Sequence, residues 1–185
     1  MQKRNGMVVV CVVGAMGLAL GACDKGSSSS SSSSTASTPT QPSGGAPAWV
    51  LVSMPEGVVD VAAAKKTLKE GDQVALRGRI GGRMDPVSKD AAFFVIMDPA
   101  VPSCADNPGD NCSTPWDYCC ETPASLAANN ATVRVVDASG APVQTGIESF
   151  GFHPLDTVVI VGTVGPRPSP EVLTITATGV HRVGG

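Results

Sequence analysis

The chain has 185 residues, 42% hydrophobic but only 4% aromatic and 16% charged, with a formal net charge of −3. A net-acidic balance argues against nucleic-acid binding, because such proteins draw most of their affinity from Lys and Arg on phosphate. The 21 glycines and 15 prolines, set among Val, Thr and Ile, argue against a helical bundle and for an all-β class.

Lys3 and Arg4 precede an apolar run over residues 7–20, and Leu20-Gly21-Ala22-Cys23 follows it. A charged start, a short apolar stretch and small residues before a cut are the parts of a secretory signal. The run of 14 residues is shorter than the ~20 that a spanning helix needs. Residues 20–23 resemble the lipobox of bacterial lipoproteins. That resemblance implies removal of residues 1–22, a diacylglyceryl group on Cys23, and a protein held at the cell envelope on the periplasmic or outer side of a membrane. Asp24 is similar to an inner-membrane retention signal of some bacteria, which leaves the choice of membrane open. Loss of Lys3 and Arg4 from the 13 cations leaves 11 against 16 acids, a mature charge of −5.

Residues 23–47 then form the lipid site and a tether, with serine at every position from 27 to 34. Such a segment cannot bury enough apolar surface to repay its ordering entropy, and its r.m.s. span is roughly 25 to 30 Å. Residues 48–185 remain, enough for one core and too few for two ordinary domains.

Within this domain, Val58, Val61, Ala62, Ala64 and Leu68 recur at near-helical spacing, and Lys65, Lys66 and Lys69 lie toward the end of the run. The pattern predicts a short helix over 58–70 that stops at Gly71. Over 73–80, Val74, Leu76, Gly78 and Ile80 alternate with Gln73, Ala75, Arg77 and Arg79, the period of a half-buried strand. Gly78 and Gly81-Gly82 allow that strand to bend or bulge. Residues 91–97 are apolar on both faces and read as a central strand, 132–136 as a third, and 157–164 and 172–178 as a final pair. Three prolines in 165–170 exclude a tight two-residue hairpin between that pair.

The run from Gly71 to Ile80 resembles the opening of an oligonucleotide/oligosaccharide-binding (OB) fold, with glycine at the bend of the first strand. The run from Asp156 to Val164 and the strand after it are similar to the fourth and fifth strands of that fold. The resemblance implies a mainly all-β, five-stranded OB-like small barrel with a short N-terminal helix. It also implies a ligand face on the second and third strands, flanked by the loops 82–92 and 165–170. An insertion over 99–130, between the second and third strands, departs from the pattern. The usual helix before the fourth strand is hard to read in 143–154, where Gly146, Gly151 and Pro154 interrupt any periodicity.

The insertion carries Cys104, Cys112, Cys119 and Cys120. In an exported protein such cysteines favour two structural disulfides, with Cys104 and Cys112 paired to Cys119 and Cys120 in crossed or nested order. The alternative, a four-thiolate metal site, is weakened by adjacent Cys119 and Cys120, which depart from the spacing of zinc knuckles. Asp106, Asp110, Asp117 and Glu121 give the insertion a charge of −4, read as a solvated acidic loop because no EF-hand spacing is present. Trp116 and Tyr118 either pack on the cysteines as a satellite core or stack on a sugar or a partner, and packing is the preferred reading.

Arg77, Arg79 and Arg83 form a basic stripe, and with Arg167, Trp116 and Tyr118 they complete the candidate ligand-binding set. His153 and His181, the only histidines, have no Ser/His/Asp or Cys/His arrangement around them, and no glycine-rich phosphate loop opens a helix. The expectation is therefore no enzyme and no cofactor. It is a non-catalytic binding module tethered to a membrane through Cys23, with an envelope glycan or a protein as partner, or else a structural adaptor. The cysteine-rich insertion is expected to form a lid-like loop beside the binding face.

Overall fold

The computed structural model describes residues 45–184; the expected export signal, the expected lipid site at Cys23 and the expected tether up to residue 44 lie outside the described residues. The elements run β1 (Val58–Asp60), α1 (Val61–Thr67), β2 (Gln73–Ile80), β3 (Phe93–Met97), α2 (Pro123–Asn129), β4 (Asn130–Val135), β5 (Thr157–Val164) and β6 (Thr174–Arg182), with 3-10 turns at Cys104–Asp106 and Ile147–Phe150. Five strands close on themselves in the order β2-β3-β4-β6-β5. The seam is antiparallel pairing of β5 with β2, from Gln73 opposite Thr163 to Arg79 opposite Thr157. β4 and β6 are parallel, the other neighbours in the ring antiparallel. This is the expected OB-like barrel, mixed rather than purely antiparallel.

The alternation legible in the sequence sets what lies inside. Val74, Leu76 and Ile80 of β2 are buried, as are Ala131, Val133 and Val135 of β4 and Val158, Ile160 and Val164 of β5. Each large apolar side chain so removed from water contributes about 1.5 to 3 kcal/mol. Gly78 faces the same interior, and a Cβ there would lie 2.7 Å from Ile96 Cδ1, so β2 and β3 approach too closely for a side chain. Gly162 sits at a register shift between β5 and β6, where the backbones are closer still.

The chain before β1 belongs to the barrel. Leu51 N–H donates to the Val180 carbonyl and Val180 N–H to the Trp49 carbonyl. This pairing carries Trp49 into the core, edge-on to Phe150 at 4.9 Å and stacked with Phe152 at 6.0 Å.

Several boundaries depart from expectation, those of the second, third and last barrel strands by four residues or fewer. The helix expected over 58–70 is only Val61–Thr67, because Val58–Asp60 pairs in parallel with β2. Two β-branched residues beside a ready strand edge gain more from the ladder than from helix. Asp60, at the N-cap, makes no side-chain cap: its carboxylate accepts from Arg77 at 2.7 and 3.0 Å. Buried Asp98 takes over, accepting from Ala62 N–H at 2.7 Å across 36 residues of sequence. The last strand runs to Arg182 instead of ending at 178, held by pairing with β5. The insertion ends in α2, marked by Thr122, whose side chain accepts from Ser125 N–H, and by Pro123 at the first helical position.

Lys65 is buried. Read from the sequence only as one of the cations toward the helix end, it is 9% exposed and donates to the carbonyls of Ala127 and Glu171. It thereby joins α1 to α2 and to the loop before β6. Burial above all, and then the Arg167 charge, pull its pKa down from 10.5 to about 8, against an upward pull from Glu171.

Candidate functional site

The insertion folds against the end of β2 through named contacts. Arg79 donates to Ser103 and Asp106, Gly82 N–H donates to the Trp116 carbonyl at 2.8 Å, and Trp116 Nε1 donates to the Met84 carbonyl at 2.9 Å. A Cβ on Gly81 would meet the Trp116 carbonyl oxygen at 2.6 Å and the Tyr118 ring at 2.9 Å, so the double glycine receives the insertion. Tyr118 is fully buried at φ +58, and its hydroxyl makes no hydrogen bond of normal geometry. Burial raises its pKa, while nearby Arg79 acts the other way. Both aromatics of the insertion are therefore packing residues, Tyr118 wholly and Trp116 in part.

No disulfide is formed among the described residues, contrary to the expected pairing; Cys104, Cys112, Cys119 and Cys120 are all free thiols. The Sγ atoms of Cys104 and Cys119 are 3.4 Å apart and those of Cys112 and Cys119 3.7 Å, well beyond the bonded distance of about 2.05 Å. Asp117 reaches the same place, its Oδ1 lying 3.8 Å from Cys104 Sγ. Its other oxygen accepts from the Thr114 hydroxyl at 2.7 Å, and Oδ1 also accepts from Cys119 N–H at 2.8 Å. Cys120 points to Asp110 at 3.6 Å.

Crowding separates the thiols electrostatically. Burial would raise the Cys104 thiol, but contacts with Cys119 and with the Cys120 and Cys119 backbones outweigh it and hold it below the usual range. Cys119 is pushed up by Cys104 and Cys112 first, with burial and Asp117 adding to the effect. Thr114 foremost keeps the Asp117 carboxyl low, and the Ser103 backbone does the same for Asp106, with Arg79 assisting.

The arginines divided between uses that the sequence does not reveal. Arg77 is paired with Asp60, and Arg79 with Asp106. Arg167 donates to four carbonyls, of Lys65, Leu68, Pro170 and Val172, and so fixes the proline-rich loop. Arg83 is exposed. Of the six candidate residues, Arg79, Trp116 and Tyr118 meet where the insertion packs on the end of β2, whereas Arg77 and Arg167 are engaged elsewhere.

Sequence reasoning missed a groove on the outer face of β3, β4 and β6. Phe93 stands opposite Arg134, Arg134 opposite Thr176, and Thr132 opposite Thr174. Period-2 geometry turns these side chains outward together while Phe94, Val133 and Ile175 turn inward. With Gly165 and Pro166 at its margin the groove encloses about 210 Å³. Phe93 is 38% exposed, rare for an aromatic in a chain that has seven. The sequence gives no signal that separates Phe93 from Phe94 in a strand read as apolar on both faces; only their burial does.

No protein-family profile matches the chain, and no curated protein is similar to it. Among solved structures it is similar to the hypothetical protein ygiW from E. coli, at 19% identity and a TM-score of 0.37, over 70% of this chain and 94% of that one.

Proposed function

We propose that this chain is a cell-envelope lipoprotein whose OB-like barrel is a non-catalytic binding module, carried by the groove of Phe93, Thr132, Arg134, Thr174 and Thr176. The observation behind this reading is an exposed aromatic beside a guanidinium and a row of hydroxyls on the second, third and fifth barrel strands. An aromatic face stacks on a sugar ring or an apolar side chain, Arg134 pairs with an acidic group, and the threonines hydrogen-bond to hydroxyls or amides. A volume of about 210 Å³ holds one ring or one side chain at a time. The groove thus suits a repeating envelope glycan or an extended protein segment that continues past it. Cys23 supplies the membrane tether, and nucleic acid is not the ligand, given the mature charge.

The full chain, purified with its lipid, is tested against cell-wall glycan fragments, and a photo-crosslinker placed at Thr132 is used in cells. Phe93→Ala and Arg134→Ala should each weaken glycan binding about tenfold, or suppress the same crosslinked partner, equivalent to about 1.4 kcal/mol. Binding and crosslinks untouched by both substitutions would overturn the groove. Cys23→Ala should abolish fatty-acid labelling, and persistent labelling would overturn the anchor.

A further inference from the structure

The structure assigns a metal site to the insertion: we propose that Cys104, Cys112, Cys119 and Asp117 bind one zinc-class divalent cation. This goes beyond the groove reading and does not depend on it. One ligand atom from each of the four lies within 4.8 Å of every other. A tetrahedral zinc with sulfur at about 2.3 Å holds its sulfurs about 3.8 Å from one another. The observed separations of 3.4 and 3.7 Å lie close to that edge and far from a sulfur–sulfur bond.

The donor set is chemically coherent. Three thiolates with one carboxylate suit a borderline-soft ion and do not suit calcium or magnesium, which take oxygen ligands. Asp117 is held for the task, since the Thr114 hydroxyl and Cys119 N–H fix its carboxylate and spare it the cost of ordering on binding. The insertion has four acids and no Lys or Arg of its own, and the one guanidinium that reaches it, from Arg79, is taken up by Asp106. Binding forms three Zn–S bonds and one Zn–O bond and releases the three thiol protons to solvent; nothing is oxidised or reduced.

The spacing objection raised by adjacent Cys119 and Cys120 is met by the fold. Cys119 joins the four-donor group, whereas Cys120 lies within 4.8 Å of Cys104 in a separate group of three with Asp110 and reaches neither Cys112 nor Asp117 as a fourth donor. The left-handed backbone of Tyr118, with its ring anchored in the protein, places Cys119 opposite Cys104. Cys104 is held in turn by its N–H on the Pro115 carbonyl at 3.1 Å.

The test uses the full chain, purified without reductant and again after reduction under argon, with zinc measured by elemental analysis. Cobalt(II) serves as the spectroscopic probe. The expected result is one zinc per chain, an exposed Cys120 that reacts with an alkylating reagent at once while Cys104, Cys112 and Cys119 react only after chelation, and a cobalt spectrum with thiolate charge-transfer bands and tetrahedral d–d bands. Cys112→Ser and Asp117→Asn should lower zinc affinity at least about tenfold, whereas Cys120→Ser should leave stoichiometry and cobalt spectrum unchanged. In a two-disulfide framework Cys120 is as necessary as the other three, so this variant separates the readings. Two disulfides found by non-reducing peptide mapping, together with no zinc uptake after reduction, would overturn the site. Loss of zinc in Cys120→Ser would overturn the ligand assignment.

Discussion

Gly162→Ala should be among the most damaging single-methyl changes in the barrel. The added Cβ would fall on the Thr176 carbonyl oxygen, 2.8 Å from Ala177 Cα and 2.9 Å from the Thr176 carbonyl carbon. All three are backbone atoms of β6, which cannot rotate away as a side chain does. Relief requires β5 and β6 to separate at their register shift. Overpacking of this kind costs about 1 to 3 kcal/mol, and a loosened ladder bond adds about 1 kcal/mol. A loss of about 3 kcal/mol is a large fraction of the 5 to 15 kcal/mol that stabilises a typical domain. With an unfolding entropy of about 2.1 cal/mol/K per residue over about 140 ordered residues, Tm should fall by about 10 °C. Gly78→Ala is the internal comparison. Its Cβ meets Ile96 Cδ1 at 2.7 Å, which can rotate away, and Ile96 Cβ at 2.9 Å, which moves only with its backbone; no backbone atom is struck directly, so the loss should be smaller, about 1 to 2 kcal/mol. Thermal melts of both variants followed by circular dichroism settle the matter. A Gly162→Ala drop under about 3 °C, or one smaller than that of Gly78→Ala, would refute the close-approach argument.

The remaining predictions concern buried polar groups. Lys65 has a folded pKa of about 8 against 10.5 in the free side chain, so between these values the unfolded chain holds a proton that the folded one has shed. Stability should therefore rise with pH across that window, by up to about 3 kcal/mol relative to a Lys65→Met variant. Urea titrations of both proteins at pH 7.5 and pH 10.5 measure the difference, and a flat or falling one would sink the assignment. Tyr118→Phe removes a buried hydroxyl without a hydrogen-bond partner and should stabilise the protein by about 1 kcal/mol; a loss of stability would show that the hydroxyl is bound after all.

Local pattern carried much of the barrel. The alternation over 73–80 and 157–164 is a property of consecutive residues, because a strand turns every second side chain to one face whatever its neighbours are. Those two strands, the glycine at the bend and the all-β class were therefore legible. So was the likeness of residues 1–23 to an export signal with a lipid site, a linear motif outside the described residues. What pairs with what, and what covers a given face, depends on segments far apart in sequence, and only the tertiary structure decided it. Val58–Asp60 became a strand because β2 offered it an edge. Asp60 gave up its cap to Arg77, and Asp98 filled the vacancy from beyond β3. Lys65 turned inward because two carbonyls, 62 and 106 residues away, awaited a donor. Phe93 stayed outside because closure of the barrel on β4 and β6 left that end of β3 uncovered. The cysteines show the limit most plainly. Their spacing suggested disulfides, but which sulfurs meet, and at what distance, is set by the docking of Tyr118 and Trp116 on Gly81-Gly82, a contact that no spacing rule contains.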